Sequence, residues 1–238
     1  MLKQINTPHS TNTYKEIKVV IVGSSGSGKT SFYTKWTKGK FDSIYKATIM
    51  TDFTSKIITY KGKGYKIQFW DIAGQDKNIY TSRIFTKDAL GCLIMCDVTN
   101  DKTMNDTIRW KKSINENTHF VNGESIPCVL VQNKIDLCEK EALDDSEEEL
   151  KRFATENGYV NYFRTSCKEG IGVDESMDYL IGMIIDGIME YEETLKGTGN
   201  KAEYAEQKKA SVQTMNVLSS SSNNNVGVGG SVLEGKCC

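Results

Sequence analysis

The chain is 238 residues long, enough to bury one sizeable core with some chain to spare. Its formal net charge is -1, from 30 Lys and Arg against 31 Asp and Glu, and the two signs are interspersed, which argues against a basic face for nucleic acid. No apolar run approaches a bilayer-spanning length, residues 1–16 are polar where a secretory leader would be apolar, and Leu2 follows Met1 where myristoylation would need glycine.

Residues 17–22 are an apolar run that predicts the first strand. Residues 30–38 read as a helix broken at Gly39, and residues 41–50 have no clean period and read as a loop. Residues 52–60 and 65–71 are β-rich and flank Lys61, Gly62, Lys63 and Gly64, a hairpin signal. The run 90–98 is almost wholly apolar, as a strand covered on both faces should be, and residues 127–131 repeat that character. Between them, residues 103–117 form a polar helix candidate. Ser146 with Glu149 three residues on is a capping box, opening a helix whose apolar face is Leu150, Phe153 and Ala154 and whose stop is Gly158. A short strand follows at 159–165. A long helix at 173–191 then places Met177, Leu180, Ile181, Ile184, Ile185 and Ile188 on one face as core. Strands alternating with helices predict an α/β fold in three layers, with a mostly parallel six-stranded sheet and one antiparallel edge strand from the hairpin.

The seven cysteines carry no C-x-x-C pair. Cys92, Cys96, Cys128, Cys138 and Cys167 read as buried free thiols, whereas Cys237 and Cys238 stand together at the end. Beyond residue 195 the composition turns to serine, asparagine and glycine, which cannot bury enough apolar surface to fold, so 196–238 reads as a flexible tether and 1–14 as a flexible N-terminus.

Between the first strand and the first helix stand Gly23, Ser24, Ser25, Gly26, Ser27, Gly28, Lys29 and Thr30. The spacing G-x-x-x-x-G-K-T in a strand–loop–helix setting is that of a phosphate loop. Backbone amides must turn inward on an anion there, and the helix that follows adds unpaired amides and a positive dipole end. Lys29 is placed to reach β- and γ-phosphates, and the Thr30 hydroxyl to hold Mg²⁺. Ligands in such sheets sit outside the carboxyl ends of the strands, and three more polar stretches end strands here. They are Asp71, Ile72, Ala73, Gly74 and Gln75; Asn133, Lys134, Ile135 and Asp136; and Thr165, Ser166, Cys167 and Lys168.

In this order and on this framework the motifs resemble the Ras-type small GTPases, a P-loop NTPase family, across residues 15–195. The resemblance implies GTP and GDP as ligands with Mg²⁺, and slow GTP hydrolysis. It makes Gln75, Lys29 and Thr48 the catalytic residues. It sets the nucleotide against Gly23, Ser25, Gly26, Ser27, Gly28, Lys29, Thr30, Ser31, Phe41, Thr48, Asp71, Gly74, Asn133, Lys134, Asp136, Ser166, Cys167 and Lys168, and the metal against Thr30, Thr48 and Asp71. Thr48 would close on Mg²⁺ when the γ-phosphate is present, Gly74 would bond that phosphate and Gln75 would orient the attacking water, so hydrolysis releases both loops. Asp136 would accept two hydrogen bonds from the Watson–Crick edge of guanine, a pair adenine cannot offer. Asn133 and Lys134 would brace base and phosphate loop, the backbone at 166–168 would meet the guanine O6, and Phe41 would pack on the guanine edge or else anchor its loop in the core.

Tyr45, Lys46, Ala47, Thr48 and Ile49, then Asp52 and Phe53, resemble the first switch of the Rab branch, and Phe53, Trp70 and Phe85 match its effector-facing aromatic triad. The stretches Trp70–Gln75, Gly28–Ser31 and Asn122–Pro127 resemble the Rab subgroup of lysosome-related organelles. Cys237 and Cys238 resemble the Rab double-prenylation signal, which suits a tail without a polybasic cluster, because one lipid chain alone anchors marginally. The implied partners are an exchange factor, a GAP, a GDP-dissociation inhibitor, Rab escort protein, geranylgeranyl transferase and effectors. The implied molecule is a monomer on the cytoplasmic face of intracellular membranes, endosomal or lysosome-related, with a cytosolic inhibitor-bound pool. Met50 where Rabs usually have glycine, and Asp76, Lys77 and Asn78 in place of the usual Glu-Arg-Phe, motivate a second reading, a GTP-holding scaffold that scarcely hydrolyses. A P-loop kinase would account for residues 23–30 but not for 133–136 or the terminal cysteines.

Overall fold

The longer strands of the sheet owe their place to runs rich in apolar, aromatic or β-branched residues. The computed structural model describes residues 3–4, 14–43, 48, 51–72 and 84–197. In chain order the strands are β1 (Lys3–Gln4), β2 (Lys15–Gly23), β3 (Asp52–Tyr60), β4 (Lys63–Asp71), β5 (Gly91–Asp97), β6 (Cys128–Asn133) and β7 (Asn161–Thr165). The helices are α1 (Lys29–Lys38), α2 (Asp101–Asn117), α3 (Lys140–Asp145), α4 (Glu147–Glu156) and α5 (Val173–Gly197). The sheet order is β1-β3-β4-β2-β5-β6-β7. β4, β2, β5, β6 and β7 run parallel, and β3 pairs antiparallel with β4 through the expected hairpin. The six expected strands are therefore all present. A two-residue strand, β1, pairs antiparallel outside β3, so the hairpin strand is not the outermost one.

Two packed layers explain why residues 19–22 of β2 and 91–96 of β5 read as apolar runs. Along β2, Ile17, Val19 and Ile21 face one layer while Val20 and Val22 face the other. The first layer joins Phe32, Tyr33 and Trp36 of α1 to Met177, Leu180, Ile181, Ile184, Ile185 and Ile188 of α5. Fully burying an aliphatic side chain of this kind is worth about 1.5–3 kcal/mol, so the α5 stripe alone accounts for a large share of what holds that layer. The second layer sets Trp110 and Ile114 of α2 and Leu150 and Ala154 of α4 against Cys92, Ile94 and Leu130. Cys92, Cys96, Cys128 and Cys167 are buried free thiols as expected, and Cys138 is half-buried.

One local expectation fails. Ser146 does not form a capping box: its hydroxyl donates back to the carbonyls of Ala142 and Leu143 and accepts from Arg164 Nη2 at 2.9 Å. The helical segment starts earlier, at Lys140, so Ser146 is the joint between α3 and α4 instead of a first turn. Arg164 of β7 locks this joint by bonding Leu143 O and pairing with Glu147 Oε2 at 2.8 Å. A long-range arginine has outcompeted a local cap.

The chain divides into two units, Met1–Met189 and Glu190–Cys238. The first holds the whole sheet and every site residue discussed below that the structure describes; of the second, residues 190–197 are described and are helical. Among the described residues, no helix is long and apolar enough to cross a membrane.

Candidate functional site

The carboxyl ends of the five parallel strands fall on one edge of the sheet, and the polar residues gather there. Pairing across the register puts Asp97, Asn133 and Thr165 in one row, with Ile21 opposite Asp71 and Gly23 opposite Met95 on neighbouring strands. None of these polar residues is near its partners in sequence; parallel register alone brings them together.

The loop from Gly23 to Gly28 needs glycine at its two ends for different reasons. Gly23 lies at φ 142°, and a Cβ there would stand 2.1 Å from the Met95 carbonyl oxygen, so only glycine lets β2 end against β5. Gly28 lies at φ 98°, and a Cβ there would stand 2.3 Å from Asn133 Nδ2. The close approach is what allows Asn133 Nδ2 to donate to Ser27 O at 3.0 Å. α1 then begins at Lys29, with the Phe32 amide bonding Gly28 O at 2.8 Å. The amides of the first turn have no partner within the helix and face the loop as an anion site. Lys29 is buried, and its Nζ donates to Ser24 O at 2.9 Å.

Three oxygen donors meet at the start of α1. Thr30 Oγ1 donates to Asp71 Oδ2 at 2.6 Å and lies 2.5 Å from Thr48 Oγ1. Asp71 is buried, and its second oxygen, Oδ1, has no hydrogen-bond partner among the described residues. Burial pushes the Asp71 carboxyl above its ordinary value, only partly offset by the Thr30 hydroxyl and the Lys29 charge. Two hydroxyls and a buried carboxylate with an unused oxygen form a hard-oxygen set that fits Mg²⁺, directly or through water.

The other end of the row is organised by Asn133. Its Oδ1 accepts from Thr165 Oγ1 at 3.0 Å, from the Cys167 amide at 3.3 Å and from the Cys167 thiol at 3.2 Å, while Nδ2 holds the phosphate loop. Burial raises the Cys167 thiol to about 12, so it acts as a neutral donor. Beyond the backbone expected to meet the base, the Cys167 side chain also takes part through its bond to Asn133. Asp136, with its side chain 7% exposed, accepts from Ser166 Oγ at 2.7 Å through Oδ1, and Lys168 Nζ stands 3.7 Å from Oδ2. Glu169 N in turn donates to Ser166 Oγ at 3.1 Å, which fixes that hydroxyl. Lys134, at a left-handed φ of 72°, meets Asp97 Oδ2 at 2.5 Å. Asp97 also accepts from the Thr99 amide and hydroxyl. Burial alone would raise the Asp97 carboxyl; Lys134 and Thr99 outweigh it and hold it below its ordinary value. Asp97 belongs to no motif, and its one sequence signal is that an aspartate closes an otherwise apolar strand.

Ser25 and Gly26 form the exposed lip of the loop, and Ser31 is half-buried on the first turn of α1. Phe41 is 39% exposed, so it is not a core anchor. Gly74 and Gln75, together with Met50, Asp76, Lys77, Asn78, Cys237 and Cys238, lie outside the described residues. On a neighbouring face Phe53, 56% exposed, stacks on Trp70 with ring centroids 4.6 Å apart and planes 16° apart. Lys18 Nζ lies 4.5 Å from the same indole and donates to Lys87 O at 2.8 Å. Burial lowers the Lys18 ammonium to about 8, with Asp88 opposing the shift. Phe85 is partly buried beside the second core layer.

The Ras family model matches residues 18–186, which covers β3 to β7, most of β2 and every described site residue above. The chain belongs to the Ras family. Its relatives place it on the Rab branch of that family. Human "Ras-related protein Rab-7L1" is 36% identical over 165 residues, 69% of this chain and 80% of that protein. Mouse "Ras-related protein Rab-32" is 33% identical over 165 residues, 69% of this chain and 73% of its own. "Ras-related protein Rab-32A" of Dictyostelium discoideum is 32% identical over 197 residues, 81% of this chain and 90% of its own. Ras-family proteins are GTPases that bind guanine nucleotides, and this Ras-family fold carries the oxygen donors that suit their Mg²⁺.

Proposed function

We propose that this Rab-branch protein is a membrane-recruited switch that binds GTP and GDP, hydrolyses GTP slowly and engages effectors in vesicle traffic while GTP is bound. The observation that carries this reading is the convergence of Asn133 and Asp136 with the phosphate loop: Asn133 bonds Ser27 O, while Ser166 fixes the Asp136 carboxylate. Asp136 selects guanine by accepting from its Watson–Crick edge. Lys29 and the α1 amides hold the phosphates, Thr30 and Thr48 present hydroxyls to the metal, and Asp71 backs them. Mg²⁺, when bound, neutralises charge on the phosphate oxygens. Gln75 orients the attacking water, and Gly74 bonds the γ-phosphate through its amide. Loss of that phosphate frees the segments around Thr48 and Gln75 together, which is the switch.

The stacked Phe53 and Trp70 supply an exposed aromatic platform for effectors. Cys237 and Cys238 carry two prenyl groups, attached by geranylgeranyl transferase with Rab escort protein. A GDP-dissociation inhibitor, an exchange factor and a GAP complete the cycle at endosomal or lysosome-related membranes. Deleting the two cysteines is expected to move the protein from the membrane to the soluble fraction on cell fractionation; unaltered membrane recovery contradicts the anchor.

Intrinsic turnover should be on the order of 10⁻⁴–10⁻³ s⁻¹. In single-turnover assays of GTP-loaded protein, Gln75→Leu should slow hydrolysis at least tenfold with GTP binding intact. Equal rates in both proteins remove Gln75 from the mechanism. No turnover in either, despite full loading, favours the GTP-holding scaffold that Met50 and residues 76–78 suggest.

A further inference from the structure

Ser24, the second residue of the phosphate loop, is buried and gathers three hydrogen bonds. Its carbonyl accepts from Lys29 Nζ at 2.9 Å and from the Ser27 amide at 3.3 Å. Its hydroxyl donates to Asp106 Oδ2 at 2.9 Å, reaching across to α2. Asp106 is mostly covered, with its side chain 13% exposed, and its other oxygen stands 3.8 Å from Arg109 Nη1. No motif announces this residue, and the site described above has no use for it.

A carboxylate this close to an anion-binding loop is unfavourable electrostatically, because the loop and the α1 amides are arranged for negative charge. Arg109 offsets part of that charge. What the carboxylate provides is a strong, oriented acceptor: a hydroxyl-to-carboxylate bond is charge-assisted and stronger than a neutral one. It fixes Ser24, and the Ser24 carbonyl in turn fixes one of the three N–H bonds of the Lys29 ammonium. The remaining donors then point in set directions. We infer that Asp106 is a positioning residue that acts through Ser24 to orient Lys29 toward the phosphates of the bound nucleotide, and so sets how long the nucleotide stays. This inference rests on the nucleotide-binding reading of the phosphate loop. It also ties α2, whose Arg109 is exposed, to the occupancy of that loop.

The test is the release rate of fluorescent (mant) GDP and GTP from the full chain, chased with unlabelled nucleotide, for wild type, S24A, D106A, D106N and the S24A/D106A double variant. Loss of a hydrogen bond to a charged group should raise release about tenfold in S24A and in D106A. The double variant should release no faster than either single one, because both remove the same bond. D106N should fall between wild type and D106A, since its amide oxygen still accepts from the Ser24 hydroxyl but without the charge. Wild-type rates in S24A and D106A, additive effects in the double variant, or a D106N as fast as D106A would each overturn the inference while leaving the nucleotide site standing. A wild-type chain that takes up no guanine nucleotide would overturn the site reading itself, and this inference with it.

Discussion

Replacing Asp136 with alanine is expected to weaken GDP and GTP binding about a thousandfold. Two hydrogen bonds from the guanine edge to one carboxylate are lost, at about 2 kcal/mol each for bonds to a charged acceptor. About 4 kcal/mol is a factor of roughly 10³. The carboxylate is already held in place by Ser166 Oγ at 2.7 Å, so little of its binding energy is spent on ordering it. The fold should survive, because Ser166 keeps its second contact, the Glu169 amide at 3.1 Å, and the carboxylate sits outside both core layers. Binding of ATP should be unchanged, so the preference for GTP over ATP collapses. Titration with fluorescent GDP in competition with ATP reads both numbers. A variant that keeps GDP affinity within about threefold removes Asp136 from base recognition, since even one lost bond of this kind costs more.

Thr30→Asn is expected to weaken GTP binding about a hundredfold, with a smaller loss for GDP. Thr30 Oγ1 is the shared vertex of the oxygen set, 2.6 Å from Asp71 Oδ2 and 2.5 Å from Thr48 Oγ1. Asparagine replaces this hydroxyl with a larger amide in the same space, so the set cannot close on a small cation that demands near-ideal geometry. GTP should suffer more because a metal held by this oxygen set would have the added charge of the γ-phosphate to neutralise. The helix itself tolerates the change, since Thr30 is exposed and threonine and asparagine have similar helix propensity. The diagnostic is nucleotide release with Mg²⁺ and with EDTA. Chelation should speed release from wild type and make little difference to the variant. Equal sensitivity to EDTA in both would show that Thr30 is not part of the metal site.

What the sequence revealed and what it hid divide along a physical line. Residues 23–30 and 133–136 were legible as a candidate site because a phosphate loop and a base-binding stretch would meet their ligands with neighbouring atoms, so the chemistry fixes residue types at short spacings. The layered core was legible for the same reason: the stripe from Met177 to Ile188 and the run 91–97 each announce a buried face locally. The pairings hidden from view depend on how elements distant in sequence are brought together, by strand register or by a helix packing on the sheet. Asp97 meets Lys134, Cys167 Sγ reaches Asn133 Oδ1, and Asp106 takes the Ser24 hydroxyl, 82 residues away. Ser146 misled because a capping box is a local rule, and Arg164 from β7 overrode it. β1, at two residues, is too short to show any period.

On the proposed function, five strand ends build one guanine-nucleotide site. Purified wild-type protein should be denatured and the released small molecules identified by chromatography and mass spectrometry. GDP or GTP is expected, one per chain, retained in Mg²⁺ and lost on dialysis against EDTA. Protein that carries an adenine nucleotide, or that carries none and takes up neither GDP nor GTP when offered them with Mg²⁺, would contradict it.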